Sequence, residues 1–149
     1  MKLPRTMPIL IAAIALAVAA CSSQTPAASG SSPATNEVGE VTQTSEGGQV
    51  TVEVDWVGPS EGASFHVKLD THAIDLDPLD LADAILRNDR GETMTARPWA
   101  APKGGHHREG FLSFEGDSSA FFADTDWIEL VLAGVGDLPQ RTLRWEVGA

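Results

Sequence analysis

From Val50 the chain falls into a two-residue rhythm that few folds accept. Val50, Val52, Val54 and Trp56 alternate with Thr51, Glu53 and Asp55. Successive side chains of a strand point to opposite faces, whereas apolar positions of a helix recur every three or four residues. The stretch therefore predicts a half-buried strand. Phe65, Val67 and Leu69 repeat the pattern against His66, Lys68 and Asp70. So do Ile128, Leu130 and Leu132 against Trp127, Glu129 and Val131, and Leu143, Trp145 and Val147 against Thr142, Arg144 and Glu146. Shorter candidates lie at 83–87, 92–97 and 110–115. Seven short strands in about 100 residues predict an all-β domain, an immunoglobulin-like antiparallel sandwich.

The turns between the strands fit. Residues 58–62 read Gly-Pro-Ser-Glu-Gly, and Asn88-Asp89-Arg90-Gly91 reads as a hairpin with Gly91 left-handed. Residues 134–139 separate the last two strands. Asp77-Pro78-Leu79-Asp80 predicts one short helical turn, with Asp77 as its cap and Pro78 at its first position. The chain holds a single Cys, so no intramolecular disulfide ties the sheets and the core rests on Trp, Phe and aliphatic packing.

The beginning of the chain has a different character. Lys2 and Arg5 precede a run of about a dozen apolar residues that ends in small ones, the pattern of a secretory signal. The run is shorter than the roughly 20 residues a membrane-spanning helix needs. Val18-Ala19-Ala20-Cys21 resembles the lipobox of bacterial lipoprotein precursors, in which an aliphatic and two small residues precede a Cys. The resemblance implies that residues 1–20 are removed and that Cys21 carries a diacylglyceryl thioether. It also implies a further amide-linked acyl chain such as palmitate in some organisms. The alternative is an ordinary signal peptide ending near a buried Cys, but the only Cys of the chain stands at the cleavage point. The expected location is the bacterial cell envelope, lipid-anchored, facing outside the cytoplasm.

Residues 21–48 are rich in Ser, Thr, Ala, Gly and Pro and nearly free of large apolar side chains. Such a stretch cannot bury enough surface to offset its ordering entropy, and it reads as a tether spanning roughly 25–30 Å. The domain proper is then expected at 49–149. The whole chain carries 10 basic and 21 acidic residues, a net of −11. Removing Lys2 and Arg5 leaves 8 basic residues and a net of −13. That balance excludes a nucleic-acid partner, which needs clustered Lys and Arg, and leaves membrane attachment to the lipid.

Two loops carry three of the four histidines: residues 71–77, with His72, Asp75 and Asp77, and residues 102–110, with His106 and His107. If strands reverse direction in turn, both loops open at one end of the sandwich, together with the 134–140 loop. Loops on a rigid scaffold are where binding groups are commonly presented. One reading is a zinc or copper(II) site built from His72, Asp75, His106 and His107, since imidazole and carboxylate suit those ions. Copper(I) is disfavoured, because Met94 is the one Met beyond the leader and no free thiol remains there. The other reading is that these polar loops hydrogen-bond each other and close the end of the core. Asp75, Asp77, Asp80 and Asp83 raise the question of calcium, but they lack the Gly and bidentate Glu of an EF-hand loop.

The block from Phe65 to Phe114 also resembles small extracytoplasmic bacterial domains with a Thr-His-x-x-Asp-Leu loop and a later Gly-Gly-His-His segment. Here these are Thr71–Leu76 and Gly104–His107. The resemblance implies a fold and no chemistry.

Catalysis is not expected. There is no Gly-x-Ser-x-Gly elbow, no candidate Cys nucleophile beyond Cys21 and no phosphate-binding loop. A non-catalytic binding module with an extracytoplasmic protein partner is the leading expectation. Trp99 and Phe111 are the candidate contact patch, drawn from a surplus of aromatics that includes Phe121, Phe122 and Trp127. Covering the ends of the sandwich is the alternative role for these rings.

Overall fold

The computed structural model describes residues 42–147. The expected signal segment, Cys21 and residues 22–41 of the expected tether lie outside the described residues. Eight strands form: β1 (Thr42–Ser45), β2 (Thr51–Asp55), β3 (Ser64–Asp70), β4 (Ile85–Asn88), β5 (Thr93–Thr95), β6 (His107–Ser113), β7 (Trp127–Val135) and β8 (Leu138–Glu146). They build two four-stranded sheets, ordered β1-β2-β3-β6 and β5-β4-β7-β8. Every pairing is antiparallel. After the β1–β3 meander the chain crosses to the β4–β5 hairpin and returns to lay β6 beside β3. It then crosses again to place β7 beside β4, and β8 closes the last hairpin.

The alternation decides which faces meet. Val52, Val54, Phe65, Val67, Ile128, Leu130 and Leu132 are fully buried, and inward residues of both sheets join one hydrophobic core. Phe65 sits at its aromatic centre, with ring centroids 5.3 Å from Trp145, 5.8 Å from Phe114 and 5.9 Å from Trp56. A fully buried ring of this kind contributes about 1.5–3 kcal/mol.

Several details differ from the sequence reading. β1 lies inside the stretch read as tether, so the sandwich includes residues ahead of the expected boundary at 49. Its inward residue is Gln43, which gives no apolar rhythm to detect. The 77–80 segment forms no helical turn; it follows a β-turn closed by Leu79 N–H to Leu76 O. A five-residue helix, α1 (Ser118–Phe122), forms instead, capped by Asp117, whose carboxylate accepts from the N–H groups of Ser119 and Ala120. The last hairpin is longer than expected, with Val135 opposite Leu138 and only Gly136 and Asp137 in the turn. A methyl group at Gly136 would stand 2.0 Å from Gly48 O, and φ is +66°, so only glycine fits there. Pro139 is tolerated because β8 is an edge strand.

Candidate functional site

Strand register assigns each loop to an end. Asp70, the last residue of β3, pairs with His107, the first of β6, and Thr51 at the start of β2 pairs with Asp70. The 46–50 turn, residues 71–84 and the Gly104–His106 turn therefore share one end of the sandwich. The β7–β8 turn joins them through Asp137 N–H to Gly48 O, 2.9 Å. The 56–63 segment, the 89–92 hairpin and α1 occupy the opposite end. The gathering of His72, Asp75, Asp77, His106 and His107 at one end, expected from strand parity, is what the register produces.

The two histidine loops are hydrogen-bonded to each other. Thr71 N–H donates to His106 O at 3.0 Å and Leu76 N–H to Gly105 O at 2.8 Å. Asp77 Oδ1 accepts from both Gly104 N–H and Gly105 N–H, at 2.9 and 3.0 Å. Gly105 is left-handed at φ +68°, and a methyl on Gly104 would meet His107 O at 2.5 Å, so the Gly-Gly pair makes this turn. Asp75 Oδ1 accepts from Asp77 N–H and Asp80 Oδ1 from Ala82 N–H. Three of the four carboxylates considered for calcium thus hold backbone amides. His106 Nδ1 donates to Ile74 O at 2.9 Å.

Two buried arginines, absent from the sequence reading, fix this end. Arg108 and Arg141 are 5% and 3% exposed, at inward positions of β6 and β8, the edge strands at opposite corners. Arg108 donates to the carbonyls of Leu76, Leu79, Ala101 and Pro102, and its guanidinium lies 4.8 Å from the Trp99 ring. Arg141 donates to the carbonyls of Ser45, Gly47, Val50 and Val135. Burial without an ion pair pushes the Arg141 guanidinium pKa down. The available signal was parity. Extending the β6 alternation back from Leu112 through Gly110 places Arg108 inward and His107 outward.

Between the 46–50 turn and the end of β3 lies an open cleft of about 400 Å³, lined by Glu46, Gln49, Thr51, Asp70, Thr71 and His72 among others. Two carboxylates and an imidazole face it, and no Lys or Arg belongs to its lining. His107 stands beside it: its Nδ1–H donates to the Asp70 carboxylate, and its ring centroid is 6.2 Å from that of His72, edge to face. Asp70 was not among the expected site residues. Among the described residues, no group of three or more His, Cys, Asp or Glu side chains converges to hold a metal ion.

The aromatic patch needs correction. Trp99 is only 5% exposed, packed under Arg108, so it offers no contact surface. Phe121 and Phe122 are buried too, covering the end opposite the cleft. Phe111 is the exception at 68% exposure, on the outer face of β6 with the His66 ring 5.0 Å away.

The Asp77 latch makes the loop contact pH-dependent. The N–H groups of Gly105 and Gly104 hold the Asp77 carboxyl below the usual carboxylate range. A depressed pKa stabilises the folded form at neutral pH, and that contribution disappears as pH falls through the folded value. Amide exchange protection at Gly104 and Gly105 is expected to drop when pH is lowered from about 6 to below about 3. Asp77→Asn should lower the protection at neutral pH and abolish that pH step; an unchanged step in the variant would contradict the latch.

No family model, curated protein or solved structure matches this chain.

Proposed function

We propose that this protein is a lipid-anchored, non-catalytic binding module of the bacterial cell envelope, and that it binds through the cleft end of its sandwich. The observation that carries the reading is the construction of that end. Arg141 holds the carbonyls of Gly47 and Val50 in the cleft lining, and Arg108 holds those of Leu76 and Leu79 in the adjoining loop, so this end is held in shape before any ligand arrives. Preformed surfaces bind without the cost of ordering their own loops. The cleft is open, which suits recognition better than the enclosure that most chemistry needs.

Chain polarity supports the anchoring. Thr42 pairs with Asp55, so β1 begins at the end away from the cleft. The lipobox-like Val18–Cys21 supports attachment by acylation of Cys21. The strand order supports an immunoglobulin-like reading of the sandwich: β2-β3-β6 facing β5-β4-β7-β8, with the β3–β4 and β6–β7 connections both crossing between sheets.

Cys21→Ala is expected to move the protein from the membrane fraction to the soluble one, and retention in the membrane would refute lipid anchoring. A photo-reactive residue replacing Glu46 at the cleft should give a discrete cross-linked adduct in cells. The same residue replacing Thr142, on the outer face of β8, should give none. Equal adducts from both positions, or none from position 46, would refute binding at the cleft.

A further inference from the structure

We propose that His72 and His107 form a two-imidazole site for a divalent transition metal, copper(II) or zinc, at the edge of the cleft, with Asp70 as the carboxylate that orients His107. The inference deepens the cleft reading above and rests on it for biological purpose, although the chemistry stands on separate observations.

The first observation is distance. Two imidazoles sharing one metal at bond lengths near 2.1 Å have ring centroids roughly 5–6.5 Å apart. The His72 and His107 centroids are 6.2 Å apart, within that range. The second is orientation. The Asp70 carboxylate takes the Nδ1–H of His107, which leaves the lone pair on Nε2. A carboxylate behind a ligating histidine fixes the tautomer and raises the basicity of the ring. The third is charge. Glu46 and Asp70 line the adjacent cleft without a Lys or Arg among the lining residues, a setting that favours a dication over an anion.

The expected ligand set changes accordingly. The two rings that stand together are His72 and His107, so His106, whose Nδ1–H goes to the Ile74 carbonyl, and Asp75, whose Oδ1 takes the Asp77 amide, are left out of the set. With two protein ligands the remaining coordination positions fall to water. Nitrogen ligands of this kind bind copper(II) more tightly than zinc.

The test is calorimetric titration of the detergent-solubilised full chain with copper(II) chloride and with zinc chloride. One equivalent of copper is expected to bind. His72→Ala and His107→Ala should each weaken binding at least about tenfold, as should Asp70→Ala, the range typical for losing an orienting carboxylate. His66→Ala and His106→Ala should match the wild type. Electron paramagnetic resonance of the wild-type copper complex should show two coordinated imidazole nitrogens, a readout independent of whether any variant folds. Wild-type affinity in His72→Ala or His107→Ala, or a spectrum without two nitrogens, would overturn the site. Cross-linking from position 46 in chelator-treated cells separates the two proposals. An adduct that persists while copper fails to bind leaves the cleft reading standing, and copper binding without an adduct does the reverse.

Discussion

Arg141→Met is expected to destabilise the domain by about 3 kcal/mol, lowering Tm by roughly 12–20 °C. Methionine keeps most of the unbranched stem, so the substitution isolates the guanidinium. In the folded protein that group donates to the carbonyls of Ser45, Gly47, Val50 and Val135, bridging the β1–β2 turn to the β7–β8 hairpin. Charge-assisted hydrogen bonds contribute about 1.5–3 kcal/mol each. The sum is reduced because burying an unpaired cation opposes folding, the same effect that pushes the Arg141 pKa down. Gly47 O also keeps a second donor, the Val50 amide. Arg141→Lys should recover less than half of the loss, since one ammonium cannot span four carbonyls. Chemical denaturation of the three proteins checks the order, and a Met variant as stable as wild type would show that desolvation cancels the hydrogen bonds.

The same arginines explain how far the sequence could be read. Strands with large inward side chains were legible because alternation is a property of side-chain chemistry alone: Phe65, Val67 and Leu69, or Ile128, Leu130 and Leu132, have no other economical arrangement. β1 was not legible, because Thr42–Ser45 earns its place through ladder pairing with β2 and carries no apolar residue. Arg108 and Arg141 were not legible as inward residues, since a cation at an inward position makes sense only once the carbonyls that surround it are known. Those carbonyls come from residues up to 96 positions away, as with Ser45 and Arg141. The convergence of the histidine loops followed from parity. Which histidines pair did not, because Asp70 is brought to His107 by strand register.

Arg108→Met is expected to cost about as much as Arg141→Met, about 3 kcal/mol, but with a different footprint. Every carbonyl that Arg108 holds belongs to the 76–79 or 101–102 segments, and its face rests on Trp99. Losing it removes the pin between the two histidine loops while leaving the sheets paired. Local opening below the global unfolding energy follows when a segment depends on few contacts. Amide exchange should therefore accelerate at Leu76, Trp99 and Gly105, whose N–H groups are bonded only within or between these loops. Val67 and Leu130, deep in the sheets, should report only the global loss. Uniform acceleration at all five amides would mean that Arg108 supports the whole sandwich rather than the loops. The distinction bears on function, because the backbone of Thr71 and of His106 are joined across these same loops. If Arg108 pins them, its loss should weaken copper binding at His72 and His107 by at least about tenfold, as for a lost supporting group. Arg141→Met should weaken copper binding less, because Arg141 reaches the His72 loop only through the 46–50 turn, where Thr71 Oγ1 donates to Gln49 O.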